Sequence, residues 1–309
     1  MTTSNKIMIV VNPASGGGRT SKQWQDVERI LRRKGYSFDV KFTQRQLHAT
    51  QITNEALQEG YNHIIAVGGD GTINEVLNGF YQVAYEAERK PSLSIIPMGT
   101  GSDFGRVLPI STKTDYIEKL LTNSQARACD VVRATYTAWD GNPQTRYYIN
   151  VADVGIGSDT VIRVNKSSKA MGGFLSFLIA FLSSVCFFKS PVFTVEVDGE
   201  IIYSGKSSMV VVNNGKYFGG GMMIAPQAEI DDGYLDVTIL EDMRKSEFLM
   251  ALPSVYKGKH LNHPKIKVAR GREVKIQATE KISLEVDGES PGVGDVFLQI
   301  LPADLKLLI

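Results

Sequence analysis

Ile64-Ile65-Ala66-Val67 runs straight into Gly68-Gly69-Asp70-Gly71-Thr72, and Ile73, Val76, Leu77 and Phe80 then follow at the spacing of one helix face. A short, continuous apolar run bounded by glycine predicts a strand buried on both faces, and the 3.6-residue period predicts a helix starting at once. A parallel strand needs a crossover connection, so this stretch commits the chain to a layered α/β unit. Glycines at the turn let the backbone approach a bulky anion, and the helix start aims its free N–H groups at it. A bare carboxylate at Asp70 would repel phosphate, so a metal ion, amine or hydroxyl donor is expected beside it. Strand, GGDGT and helix together read as a site for a metal nucleotide.

The same syntax recurs. Ile7–Val11 is a second continuous apolar run, ending in Asn12-Pro13-Ala14-Ser15-Gly16-Gly17-Gly18. A helix is predicted from about Ser21 to Lys34, a strand over Tyr36–Thr43 and a helix over about Ala49–Glu59. Leu93–Ile96 then ends in Pro97-Met98-Gly99-Thr100-Gly101-Ser102-Asp103-Phe104. Repeated strand, loop and helix predict a doubly wound α/β domain with a parallel sheet, and ligands of such sheets bind at the carboxyl ends of the strands. The three glycine loops should therefore converge.

After Asp130 the pattern changes to strands with little helix: Tyr147–Val154, Val192–Val197, Met209–Asn213, Leu235–Leu240, Val274–Ile276, Ile282–Val286 and Val296–Leu301. Asp198-Gly199 and Asp287-Gly288 are hairpin signals between alternating apolar residues. The expected division is an α/β domain over 1–130 and a β-rich sandwich over 131–309, with Ala303–Ile309 left unassigned by pattern. Met171–Phe188 interrupts the second half with 18 uncharged residues between Lys169 and Lys189. Serines and glycines dilute it, so a helix over an apolar pocket or touching a bilayer is expected rather than a membrane span.

Net charge is +1, which argues against a nucleic-acid partner. One local exception is Lys257 to Lys275, where Lys257, Lys259, Lys265, Lys267, Arg270, Arg272 and Lys275 accompany a single acid, Glu273. Such a run suits an anionic membrane surface or an ordinary solvated face. Cys129 and Cys186 offer no disulfide framework or metal spacing and are expected to be buried free thiols. MTTSNK leads directly into a strand, without the pattern of a signal peptide, and a cytoplasmic protein is expected.

The ordered motifs carry a resemblance. Asn12–Gly16, Gly68–Glu75 and Gly99–Phe104, followed by Asn214-Gly215-Lys216-Tyr217-Phe218-Gly219-Gly220-Gly221, Ala225-Pro226-Gln227-Ala228, Asp231–Asp236 and Val286-Asp287-Gly288-Glu289, resemble the diacylglycerol kinase catalytic domain. They match the bacterial soluble lipid kinases of the diacylglycerol kinase and YegS type, relatives of sphingosine and ceramide kinases. The resemblance implies an NAD-kinase-like nucleotide domain plus a β-rich lid, a site in the cleft between them, and ATP-dependent phosphorylation of a lipid hydroxyl.

It further implies that Asn12, Pro13, Ala14, Ser15, Gly16, Thr43, Gly69, Asp70, Gly71, Thr72, Ile73, Asn74, Glu75 and Thr100 bind the nucleotide. Glu289 would be the proton acceptor, and Asp70 would share in catalysis as a mediator of the Mg-ATP geometry. Asp232 would hold a structural Mg²⁺ with backbone carbonyls of Glu229 and Tyr234, and Asp103 and Asp130 would belong to the carboxylate network near that metal. By residue type alone, Asp231-Asp232-Gly233 reads more readily as a turn than as a metal site. Glu-Val-Asp-Gly-Glu also occurs twice, at 196–200 and 285–289, so chemistry alone does not choose Glu289 over Glu200. Ser102 stands where the family usually carries asparagine, and a doubled amide, Asn213-Asn214, precedes the glycine cluster with no role that sequence explains. The leading reading is a peripheral lipid kinase for diacylglycerol, with a transient membrane contact and a homodimer left open. The alternatives are an NAD kinase and a catalytically silent nucleotide- or lipid-binding regulator.

Overall fold

The computed structural model describes residues 6–84, 90–166 and 173–309. The chain divides into two compact units, Met1–Cys129 with Ala303–Ile309, and Asp130–Pro302.

The first unit is α/β. Its elements are β1 (Ile7–Val11), α1 (Arg19–Arg33), β2 (Asp39–Phe42), α2 (His48–Gln58), β3 (His63–Gly68), α3 (Asp70–Phe80), β4 (Ser92–Pro97) and α4 (Thr114–Thr122). β1 lies between β2 and β3, β3 pairs with β4, and all of these pairs are parallel. The end of the chain adds a further parallel neighbour, with Lys306 opposite Ser92 and Leu307 opposite Leu93. Every residue of β1 and β3 is buried, which is why both read as unbroken apolar runs. Ile7, Ile9 and Val11 alternate onto a core with Trp24, Val27 and Leu31 of α1 and Ile117 and Leu120 of α4. Met8 and Val10 are buried on the opposite side of the strand. The predicted strand over Tyr36–Thr43 begins only at Asp39, because Gly35 (φ 83°) ends α1 in a left-handed turn and the chain needs the intervening residues to come alongside β1.

His63 at the start of β3 is wholly buried, and its Nε2 meets the Ser94 hydroxyl at 2.9 Å. Burial, with a smaller contribution from Lys306, lowers its pKa from 6.5 to about 4. A base with a lowered folded pKa stabilises above its unfolded value and loses that contribution as pH falls toward the folded value. The first unit should therefore lose up to about 3 kcal/mol between neutral pH and pH 4 through this group. Urea titrations read by the buried Trp24 should show that loss, and His63→Phe should remove much of the slope.

The second unit is β-rich. It contains most of β5 (Ala126–Ala138), then β6 (Pro143–Tyr148), β7 (Val151–Gly155), α5 (Ile156–Lys166), α6 (Gly173–Phe187), β8 (Val192–Val197), β9 (Glu200–Asn213), β10 (Tyr217–Phe218), β11 (Met222–Met223), β12 (Leu235–Glu241), α7 (Lys245–Val255), β13 (Ile266–Gly271), β14 (Glu273–Ala278), β15 (Ser283–Val286) and most of β16 (Glu289–Leu308). Its strand pairs are antiparallel, among them β7 with β9 and β15, and β9 with β8 and β12. The single strand expected over Tyr147–Val154 is instead two, β6 and β7. The break falls at Ile149-Asn150, where the backbone N–H groups turn to the Asp287 carboxylate.

β9 shows why its sequence is continuously apolar. Val210 and Val212 enter one core with Phe193, Val195, Val237 and Val274, while Met209 and Val211 enter a second with Ile156, Phe181, Val185 and Phe248. α6 and α7 cover that second core, with the Phe181 and Phe248 rings 5.9 Å apart. Met171 and Gly172 of the predicted apolar segment lie outside the described residues. Among the described residues, no helix is long and apolar enough to cross a membrane.

Two expectations are corrected. Cys129 is buried, but Cys186 is exposed near the end of α6, where the helix turns its side toward solvent. The Lys257–Lys275 run is not a bare basic patch, because tertiary pairing supplies acids that linear sequence does not show. Lys265 meets Glu247 at 2.8 Å, Lys267 meets Glu241 at 3.0 Å, and Arg270 pairs with Asp232.

Candidate active site

In the first unit the loops after β1, β3 and β4 are tied together by side chains. Asn12 Nδ2 donates to Thr72 Oγ1 at 2.9 Å, and Asn12 Oδ1 accepts the Ala14 N–H at 3.1 Å. Ser15 Oγ and Thr20 Oγ1 both donate to the Met98 carbonyl, at 3.0 and 2.7 Å. Gly69 and Gly99 touch backbone to backbone: a Cβ on Gly99 would fall 2.3 Å from the Gly69 Cα. Glycine is thus required at 99 by close approach.

Asp70 opens α3, where the helix dipole favours a carboxylate. Its Oδ2 accepts the Asp103 N–H at 3.0 Å and its Oδ1 the Phe104 N–H at 3.2 Å. The expectation of a metal or other donor beside Asp70 rested on its isolated charge. The structure supplies two backbone donors from the third loop, so Asp70 works as a clamp between loops. Asp103, buried itself, pairs with Arg106 at 3.2 Å. Ser102 takes the left-handed conformation (φ 46°), which asparagine tolerates better than serine, and its buried hydroxyl makes no hydrogen bond.

The other nucleotide candidates sort by exposure. Pro13, Ala14, Ser15, Gly16, Gly69, Gly71 and Thr100 are exposed or half-buried at the loop rim. Thr43 is buried beside β1, its N–H on the Val11 carbonyl at 2.9 Å. Thr72, Ile73 and Asn74 are buried, so the side chains of Ile73 and Asn74 belong to the fold. Glu75 accepts the Leu47 and Ala49 N–H groups at 2.9 and 3.0 Å and so caps α2.

In the second unit the two Glu-Val-Asp-Gly-Glu copies form hairpins of the same turn type, with both central residues at positive φ: Asp198 49° and Gly199 88°, Asp287 46° and Gly288 88°. Their surroundings differ. In the first, Asp198, Gly199 and Glu200 are exposed, and Asp198 accepts N–H bonds from Arg272 and Glu273 at 2.8 Å each. In the second, Glu285 and Asp287 are buried and Glu289 is half-buried. Asp287 accepts three backbone N–H bonds, from Ile149, Asn150 and Val151, at 3.3, 3.2 and 3.0 Å. The hairpin carrying Glu289 is therefore anchored inside the unit.

Asp130, buried, accepts the Gly233 N–H at 2.6 Å and shapes the Asp231-Asp232-Gly233 turn. Asn214, also buried, donates to the Asp130 and Ile149 carbonyls at 3.1 and 2.8 Å, and Asn213 donates to the Gly215 carbonyl at 3.1 Å. The doubled amide thus satisfies carbonyls where strands end. Around that turn lie Glu229, Asp232 and Asp236, an all-oxygen set that suits a hard cation such as Mg²⁺. Asp236 Oδ2 is buried without a hydrogen-bond donor, and burial raises its pKa, with Asp232 and Glu229 adding to the effect against Arg270. The Arg270 guanidinium already pairs with that oxygen at 4.0 Å, so a metal cation there would have to displace it. Also competing with such a cation, Asp232 pairs with Arg270, and Glu229 meets Lys216 at 3.1 Å. Among the described residues no cluster of three His, Cys, Asp or Glu side chains is arranged to hold a metal, so backbone carbonyls would have to complete the set.

Sequence reasoning missed Asp153 and Glu285, opposed in register on β7 and β15 and both buried. A carboxylate inside the apolar run Tyr147–Val154 was the available signal.

The chain matches two family models in order, the diacylglycerol kinase catalytic domain over residues 6–134 and the YegS C-terminal NAD kinase beta sandwich-like domain over residues 150–309. It is 30% identical over 287 residues to a diacylglycerol kinase of Bacillus subtilis (strain 168), covering 92% of this chain and 90% of the relative. A diacylglycerol kinase of Staphylococcus haemolyticus (strain JCSC1435) is 28% identical, with 92% and 82% covered. Among solved structures, one from Bacillus anthracis str. Sterne assigned to the diacylglycerol kinases superposes with a TM-score of 0.76 at 25% identity, covering 100% of this chain and 98% of that one. A yeast NADH kinase complexed with NADH shares the fold alone, with a TM-score of 0.55 at 11% identity over 99% and 83% of the chains. With both family models matched in sequence order and converging glycine loops, the chain belongs to the diacylglycerol kinase family of lipid kinases.

Proposed function

We propose that the chain transfers the γ-phosphoryl of ATP to the hydroxyl of a lipid alcohol, diacylglycerol first among candidates, giving phosphatidic acid and ADP. The observation that carries this reading is the ordered match to both family models combined with three glycine loops locked together by Asn12, Ser15 and Asp70. The α3 N-terminus and the loop N–H groups hold the phosphates. Glu289 accepts the proton of the lipid hydroxyl as its oxygen bonds to the γ-phosphorus and the bridging oxygen leaves with ADP. Asp232 and the carbonyls of Glu229 and Tyr234 would hold a structural Mg²⁺, and a separate Mg²⁺ entering with ATP would supply charge neutralisation at the phosphates.

Phe181, Met209, Met222, Leu240, Phe248 and Leu252 line an apolar hollow of about 30 Å³, too small for an acyl chain unless α6 and α7 move apart. Beside it, Ile179, Leu182 and Phe187 on α6 and Leu249 and Met250 on α7 are exposed, which supports transient contact with a membrane surface. Fold likeness to an NADH kinase keeps a dinucleotide substrate as the second reading. A screen of radiolabelled ATP and Mg²⁺ over lipid alcohols in mixed micelles tests the proposal: label should enter phosphatidic acid, and a panel in which no lipid is labelled would remove it.

A further inference from the structure

The two hairpins of identical sequence differ in what their first glutamate faces. Across the sheet, Glu196 stands opposite Lys275. Glu285 stands opposite Asp153 instead. Directly opposed residues of an antiparallel pair hold their Cβ atoms about 5 Å apart, so two acids are brought together inside the unit. Asp153 is 2% and Glu285 4% exposed, so bulk solvent does not screen them.

The bonds around the pair are asymmetric. Asp153 Oδ1 accepts the Ser158 N–H at 2.8 Å, in the first turn of α5. Glu285 Oε1 accepts the Gly288 N–H in the turn before Glu289. The remaining oxygens, Asp153 Oδ2 and Glu285 Oε2, are buried with no donor. A side chain at Gly157 would collide with the Asp153 carboxyl, so the α5 backbone packs directly against it. The other titratable groups that act on the pair are the Asp287 carboxylate and the Tyr148 phenol. Among the described residues no lysine, arginine or histidine contributes to either carboxyl.

We propose that Asp153 and Glu285 are a positioning pair that holds one proton between Glu285 Oε2 and Asp153 Oδ2, and so fixes the Asp287-Gly288 turn that places Glu289. This rests on the reading of Glu289 as proton acceptor. With the proton in place both orphaned oxygens are satisfied, and Glu285 keeps its other oxygen on the Gly288 N–H. Burial, and for Glu285 the nearby Asp153, push both carboxyls upward in pKa. The proton belongs to the pair and is lost in the alkaline direction. Two facing anions beside Asp287 would then drive Glu285 out and release the turn. The same shift has a thermodynamic sign: acids with raised folded pKa values stabilise below their unfolded values and lose that contribution as pH rises through the folded ones.

The test is the pH profile of kcat with Mg-ATP and a lipid alcohol, run on Glu285→Gln and Glu285→Ala. Glutamine can donate to Asp153 Oδ2 and accept from Gly288 without a titrating proton. Glu285→Gln should hold its turnover to higher pH than the wild type and show a higher Tm there. Glu285→Ala should lose kcat by about tenfold or more at neutral pH, with the KM for ATP little changed. A Glu285→Gln profile superimposable on the wild type, or one as poor as Glu285→Ala, would overturn the proposal. Infrared difference spectra read the pair without catalysis: the protonated-carboxyl band should vanish in Glu285→Gln, and its persistence would place the proton elsewhere. Full activity in Glu289→Gln would remove the base assignment while leaving that band intact, so the two failures are separable.

Discussion

Glu289→Gln should lower kcat by about a thousandfold, while Glu200→Gln should leave it within twofold of the wild type. The two glutamates end identical pentapeptides, so the pair of variants is its own control for sequence context. Structure separates them. The Glu200 hairpin is exposed from Asp198 onward. The Glu289 hairpin is held by three backbone N–H groups on Asp287 and by Glu285 on Gly288. Glutamine keeps the size and hydrogen bonding of the side chain and loses only its basicity. Unchanged circular dichroism and Tm, measured with steady-state phosphorylation, confine the effect to proton transfer. Equal losses in both variants would refute the assignment.

Asp70→Ala is the second variant with a large expected effect. Removing the carboxylate strands the N–H groups of Asp103 and Phe104, both buried, at a cost of about 1–3 kcal/mol in the stability of the first unit. It also frees the third glycine loop from the start of α3. Displacements of about 1 Å at a phosphate site cost on the order of a hundredfold in turnover, so activity should fall at least that far with weakened ATP binding. Asp70→Asn retains one acceptor oxygen and should fall between the two. Nucleotide affinity by fluorescence titration and denaturant midpoints on the same samples check both halves. An alanine variant that binds ATP as the wild type does would contradict the clamp.

Much of the first unit was legible because its rules are local. Buried parallel strands are unbroken apolar runs, glycine loops mark their ends, and β1, β3, α3 and β4 all fall where those signals stand. What could not be read was the partner of each polar side chain. Asp70 was expected to need a metal ion, amine or hydroxyl donor, and two backbone N–H donors more than 30 positions away, which no local pattern shows, already bond to it. Glu75 caps a helix that precedes it in the chain. Seven cations between Lys257 and Lys275 gave the impression of a bare patch, because Glu247, Glu241 and Asp232 reach three of them, Lys265, Lys267 and Arg270, only through folding. The repeated pentapeptide marks the limit most clearly. Its copies differ by what stands across the sheet, lysine for one and aspartate for the other, and strand register is a tertiary property.

The most direct measurement of the central claim is a competition. Diacylglycerol in mixed micelles and NAD are offered together to the protein with limiting γ-labelled ATP and Mg²⁺, and the products are separated. Lipid phosphorylation by this chain predicts that the label is recovered as phosphatidic acid, and that Glu289→Gln abolishes it. Label recovered as NADP with the lipid unlabelled would contradict the account.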